Sequence, residues 1–255
     1  MATLRFLVAL IYIFVLAPAV VVIGSAFTTT TYITFPPEGF TLDWFTQLFQ
    51  LENFRGGFLL SVRIAALTTL IDLILGLLAA YALVRFRYRG QNGVRMALLV
   101  PALTPSLLIG FALLNFSIRS GIPSSFALLM GHVLITLPLA IVIITQSLER
   151  LDHDLENAAL SLGAHELETF RFVVFPAIRP GLTAAGTFAF LLSFDQLPIS
   201  LILKDVAQGT FPVELFNYIR YEINPVLSAV STLFIVINLV LTVIGLLAVR
   251  RAGSA

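Results

Sequence analysis

The stretch LENAALSLGAHELETFRFVVFPAIRPGL, residues 155–182, decides how this chain is read. It carries Glu156, Glu166, Glu168, Arg171 and Arg179, with the titratable His165, between two long apolar runs. Leu155, Ala158, Ala159 and Leu162 recur at i, i+3, i+4 and i+7, the spacing of one stripe along a helix. Asp152 or Asp154 can cap its start, where both carboxylates meet the positive end of the helix dipole. Gly163 supplies a left-handed stop. A second helix is expected from His165 to Phe175, ended by Pro176 and Pro180. By its pattern alone the segment is equally an amphipathic loop resting on the membrane surface or a docking element for another protein. The acidic excess at its start (Glu149, Asp152, Asp154, Glu156) argues against anionic lipid as the main partner of the loop.

The composition outside this stretch sets the class. The chain has 255 residues, 58% hydrophobic and only 11% charged, with a mean hydropathy of +0.99. Soluble domains carry about 25% charged residues, so this is an integral membrane protein, expected as a single domain over residues 1–255. A membrane-spanning helix needs about 20 mostly apolar residues. Residues 6–27, 58–84, 94–118, 126–148, 182–203 and 226–249 qualify, which predicts an all-α fold of six transmembrane helices. The first run is long for the apolar core of a signal peptide and is read as a retained helix.

Arginines orient the chain. Arg5, Arg85, Arg87, Arg89, Arg95, Arg150, Arg171, Arg179, Arg250 and Arg251 collect on one side; Arg55, Arg119, Lys204 and Arg220 fall on the other. Both termini, the loop at residues 85–95 and the loop at residues 149–181 are therefore expected in the cytoplasm. On the outer side, residues 42–49 suit a short interfacial helix bearing Trp44, the only tryptophan. Residues 213–221 suit another within the loop at 204–224.

Several chemistries are excluded. No cysteine means no disulfide, thiol chemistry or thiolate metal site. The only lysine, Lys204, precedes Asp205, so a G-x-x-x-x-G-K-[ST] phosphate loop cannot form here. Any ATP must be held by another subunit. There is no basic face for nucleic acid, and His132 reads as a hydrogen-bonded core residue, with no second ligand at metal spacing. Intramembrane acids cost about 2.5–3.5 kcal/mol at a helix centre. Asp195, beside Pro198 in a broken fifth span, is read as a pathway carboxylate. Asp72 is read as a structural hydrogen-bond partner. Together with Asn115 they form the candidate substrate path. Gly181, Ala185 and Ala189 form a small-residue ladder suited to close helix packing.

Asn157-Ala158-Ala159, followed by Gly163, Phe170, Val174, Pro176 and Pro180, resembles the E-A-A---G cytoplasmic loop of ABC importer permeases of the type I fold. The resemblance extends over about residues 57–251 and includes Ala79–Arg85 (AAYALVR), Pro101, Pro105 and Ser193-Phe194-Asp195. It implies that the loop forms a coupling helix seated in a cleft of an ATP-binding subunit, with Glu156, Asn157, Ala158, Ala159, Leu162 and Gly163 as the coupling surface. Two residues depart from the family pattern. Asn157 stands where the motif has glutamate, with Glu156 beside it, and His165 replaces a small hydroxyl residue and should weaken the cap of the second helix.

Within the family the chain resembles the shorter, second permease of the polyamine-type group, which also serves iron, phosphonate, thiamine and opine-like solutes. The implied partners are two ATP-binding subunits holding ATP and magnesium, a second and different permease, and an extracytoplasmic solute-binding protein. The implied location is the bacterial inner membrane, and no cofactor resides in this chain. A stand-alone secondary transporter would show paired repeats, and an intramembrane hydrolase would need a nucleophile beside His132. Neither signal is present.

Overall fold

The computed structural model describes residues 1–204 and 209–254; residues 205–208, inside the expected outer loop at 204–224, lie outside the described residues. In chain order the helices are α1 (Ala2–Ser25), α2 (Asp43–Gln50), α3 (Glu52–Arg85), α4 (Gln91–Leu103), α5 (Ser106–Ser120), α6 (Ser124–Glu149), α7 (His153–Ser161) and α8 (Glu166–Thr169). A π-helical turn (Phe170–Val174) leads into α9 (Phe175–Phe194), followed by α10 (Pro198–Leu203), α11 (Phe211–Tyr221) and α12 (Pro225–Ser254). Hydrocarbon offers no water to backbone N–H and C=O groups, so each apolar run satisfies them internally as a helix. Among the described residues, five helices are long and apolar enough to cross a membrane, or six when α4 and α5 count as one broken span.

That broken span departs from the single stretch expected over residues 94–118. Helices α4 and α5 meet at 96°. Pro105 disfavours helical geometry at the residue before it. Thr104 accordingly turns extended, with ψ 133°.

The fifth span departs in the opposite sense. Pro176 and Pro180 do not end a helix as expected; both lie within α9, Pro176 in its first turn. The preceding π turn already shifts the hydrogen-bond register, so the missing N–H of Pro176 costs little. The result is one helical run from Glu166 to Phe194.

The chain divides into two compact units, Met1–Phe58 with Phe211–Val240, and Leu59–Thr210 with Leu241–Ala255. The first is held by aromatic packing. Leu48, Phe54, Phe211, Val226 and Val230 are buried together, and Phe54 meets Phe211 and Tyr218 edge-on at 5.9 and 5.5 Å. Such pairs add about 0.5–1.5 kcal/mol beyond area burial. Trp44 Nε1 donates to the Thr28 carbonyl at 2.7 Å, anchoring α2 to the chain that follows α1.

In the second unit α6 is the central helix. Its Ala140, Ile144 and Leu148 pack with Ala80 of α3 and with Val174, Ile178 and Ala185 along the fifth span. Its other end, through Ala127 and Leu128, packs with Ile109 and Leu113 of α5 and Ile199 and Leu203 of α10. The seam between α6 and α9 depends on Gly181, where an added Cβ would lie 1.8 Å from Ser147 Oγ. Ala185 and Ala189 are also buried. The ladder predicted from sequence is thus used inside the chain.

Candidate coupling loop and intramembrane polar groups

Asp152 is the residue that caps α7, accepting the Asp154 backbone N–H at 3.0 Å. The helix closes with Gly163 at φ +93° and with the Ala164 N–H donating to the Ala159 carbonyl at 3.1 Å. A side chain at that φ is strained, which is why glycine stands there. The His165 backbone N–H then donates to the Glu168 carboxylate at 2.9 Å. Glu168 thus satisfies the backbone N–H of the residue that opens α8, one half of a capping box.

The faces of α7 are sharply divided. Leu155, Leu160 and Leu162 are 53%, 44% and 89% exposed. Asn157, Ala158 and Gly163 are exposed with them, and Ala159 is half-buried. Glu156 does not share that outer surface as expected; it is only 6% exposed. Its carboxylate is paired with the Arg85 guanidinium at the end of α3. One helical turn places Glu156 with Ala159 on the inward side, and a buried carboxylate requires a counter-charge. Arg95 of α4 also pairs with Glu149 of α6 at 2.8 Å, but about half-exposed, where such a pair contributes at most about 1 kcal/mol. The pairing role of Arg85 is not visible in the sequence, where the residue serves only as a topological arginine and as the end of the AAYALVR stretch. Glu156 stands in the sequence as one of four neighbouring acids (Glu149, Asp152, Asp154, Glu156), and nothing local marks it as the one that turns inward.

Inside the membrane region a polar chain crosses the second unit. Asp72 is fully buried; Thr136 Oγ1 donates to its Oδ2 at 2.5 Å, and Oδ1 has no hydrogen-bond partner among the described residues. His132 is bonded through Nδ1 to Ser193 Oγ at 2.8 Å and through Nε2 to Ser200 Oγ at 3.0 Å. The Ser200 hydroxyl gives its own proton to the Gln196 carbonyl at 2.6 Å. It must therefore accept from Nε2–H, leaving Nδ1 to accept from Ser193. The imidazole thus bridges the helices on either side of the break at residues 195–197. Asp195 caps the end of α9 and is exposed, as is Asn115 on α5. The three candidate path residues sit in unlike settings: two at exposed positions, and Asp72 sealed behind Thr136.

Comparison with known proteins places this architecture. A sequence model of the family described as "Binding-protein-dependent transport system inner membrane component" matches residues 72–253. The chain is 28% identical over 242 residues to the spermidine/putrescine transport system permease protein PotC of Haemophilus influenzae, covering 94% of each chain. It is 30% identical over 232 residues to the putrescine transport system permease protein PotI of Escherichia coli K12, covering 88% of this chain and 82% of that one. Among solved structures it superposes on a chain of a bacterial ABC transporter involved in the import of the acidic polysaccharide alginate. That match has a TM-score of 0.74 at 14% identity and covers 98% of this chain and 95% of that one. Such low identity speaks to the fold, which is that of a type I ABC importer permease. With most of its length matched by the family model, the chain belongs to the family of binding-protein-dependent transport system inner membrane components, the membrane permease subunits of ABC importers.

Proposed function

We propose that this chain forms half of the translocation path of an ATP-driven importer for a polyamine of the spermidine/putrescine kind. The observation that carries the solute class is its likeness, over nearly its whole length, to permeases named for those two amines. A polycation also suits the exposed carboxylate of Asp195 at the break between α9 and α10. We read residues 1–255 as one transmembrane domain of a bacterial inner membrane protein, with both termini and the α7–α8 loop on the cytoplasmic, arginine-rich side. Two ATP-binding subunits, a different second permease and an extracytoplasmic binding protein complete the assembly. ATP and magnesium belong to the ATP-binding subunits. The absence of a phosphate-loop lysine from the full sequence supports that division.

In this reading the exposed face of α7, with Asn157, Ala158 and Leu162, seats in a cleft of the ATP-binding subunit, while Ala159 and Gly163 hold its shape. Closure of the nucleotide dimer displaces α7. Two links carry the displacement inward: the Glu156–Arg85 pair leads to α3, and the continuous run from Glu166 to Phe194 leads to α9. The displacement favours one membrane arrangement only because the contacts differ between states.

The test is reconstitution of the chain in vesicles with its ATPase, second permease and binding protein. Labelled spermidine and putrescine should enter in an ATP-dependent manner, and each should stimulate ATP hydrolysis. ATP-driven uptake of iron, phosphonate, thiamine or an opine, with none of a polyamine, overturns the solute class but keeps the machine. Uptake by this chain alone, driven by an ion gradient, overturns the machine.

A further inference from the structure

The arginine-rich end of the second unit holds two adjoining cavities that share Leu83, Arg95 and Glu149. The outer one is polar and includes Arg87, Asn92 and Arg95 in its wall. The inner one continues between α4 and α6 past Thr145 to Leu99, Ile141 and Val142. The eight helical steps from Ile141 to Glu149 span about 12 Å. The pair therefore forms a groove that is cationic where spanning helices end and apolar about 12 Å deeper.

Charge and hydrogen bonding within it are unbalanced. Two guanidiniums face one carboxylate, and that carboxylate is engaged by Arg95 at 2.8 Å. Arg87 has no ion-pair partner among the described residues. Gln91 is already committed, its amide nitrogen donating to the Leu83 and Phe86 carbonyls. Between the polar and apolar stretches stands Thr145, only 6% exposed, whose hydroxyl has no hydrogen-bond partner among the described residues.

We propose that this groove is a binding site for one anionic phospholipid. Its phosphate lies between Arg87 and Arg95 with Asn92 as a neutral donor, its ester region lies at Thr145, and the start of one acyl chain lies along Leu99, Ile141 and Val142. A basic pocket between spanning helices at the membrane surface suits an anionic headgroup. A free phosphate would leave the apolar depth empty, and a soluble subunit has no apolar chain to place at that level. This site is separate from the exposed face of α7, and the inference does not depend on which solute is carried.

Native mass spectrometry of the assembled transporter, released from nanodiscs of equal phosphatidylglycerol and phosphatidylcholine, tests it. The wild-type complex should retain one phosphatidylglycerol per copy of this chain, preferred over phosphatidylcholine about fivefold, the value of one net positive charge at an anionic surface. Arg87→Gln, a change at an exposed position that leaves packing intact, should abolish that preference, whereas Arg250→Gln should keep it. Val142→Trp, which fills the apolar depth, should lower retention of both lipids. Equal retention of the two lipids by the wild type, or unchanged preference in Arg87→Gln, overturns the proposal. Displacement of the lipid by millimolar glycerol phosphate would also overturn it, because the apolar depth would then contribute nothing.

Discussion

Leucine and alanine do opposite work in α7 and in the seam between α6 and α9. In α7, Leu155, Leu160 and Leu162 face outward while the one buried polar side chain, Glu156, is held by Arg85. In the seam, Ile144, Leu148, Ala185 and Ala189 are buried, and Gly181 lets the helix backbones approach closely. The seam has no surface left to offer, whereas α7 exposes apolar area that a stable fold would otherwise bury. One region is finished by intrachain packing; the other is tied inward through the Glu156–Arg85 pair and keeps an exposed apolar face.

The sharpest way to break this contrast is Arg85→Ala. It leaves the Glu156 carboxylate buried and unpaired, a loss of about 3–5 kcal/mol. The cost should appear as detachment of α7, read as new protease cleavage near residues 150–165 together with lost uptake. The exchange Arg85→Glu with Glu156→Arg should recover part of both. If the single change leaves cleavage and uptake unaltered, the pair does not orient the helix.

Gly181→Ala tests the seam. A Cβ 1.8 Å from Ser147 Oγ must push the helices apart, and overpacking of this kind costs about 1–3 kcal/mol. The thermal midpoint in detergent should fall, and Ser147→Gly in the same chain should restore part of it. A midpoint unmoved by Gly181→Ala would show that the seam yields easily.

Changes on the open face should do the reverse. Leu162→Ser and Ala158→Trp, both at exposed positions, should leave stability within about 0.5 kcal/mol of wild type, as surface changes usually do, and yet abolish ATP-dependent uptake. Gly163→Pro, whose ring cannot adopt φ +93°, should stop uptake while membrane insertion persists. Normal uptake in these variants would remove α7 from the transmission path.

The smallest effect on stability is expected from Asp195→Asn, an exposed change at a helix cap. It should raise the polyamine concentration needed for half-maximal uptake, whereas Asp72→Asn, sealed behind Thr136, should leave that concentration unchanged. An identical concentration dependence in wild type and Asp195→Asn would take Asp195 out of the path.

Much of this was legible from periodicity and composition. The helical fold, the stripe of α7, its cap near residues 152–154, the left-handed stop at Gly163 and the core character of His132 all depend on residues close in sequence or on hydropathy. The prolines were harder. Pro105 breaks a span that reads as continuous, whereas Pro176 and Pro180 are absorbed into one. The difference lies in the neighbouring hydrogen-bond register, which a π turn resets before Pro176 and nothing resets before Pro105.

By itself the sequence determined a polytopic helical membrane protein with a patterned loop between its fourth and fifth spans, because apolar run length and local caps act over a few turns. Which side of that loop faces inward was decided only by tertiary structure. Arg85 and Glu156 lie 71 residues apart, and their pairing turns the remaining apolar residues out. The groove between α4 and α6 has the same origin, since Arg95 and Leu99 on α4 meet Ile141, Val142 and Thr145 of α6 only when the two helices pack. Pairings of that range have no period for a sequence to display.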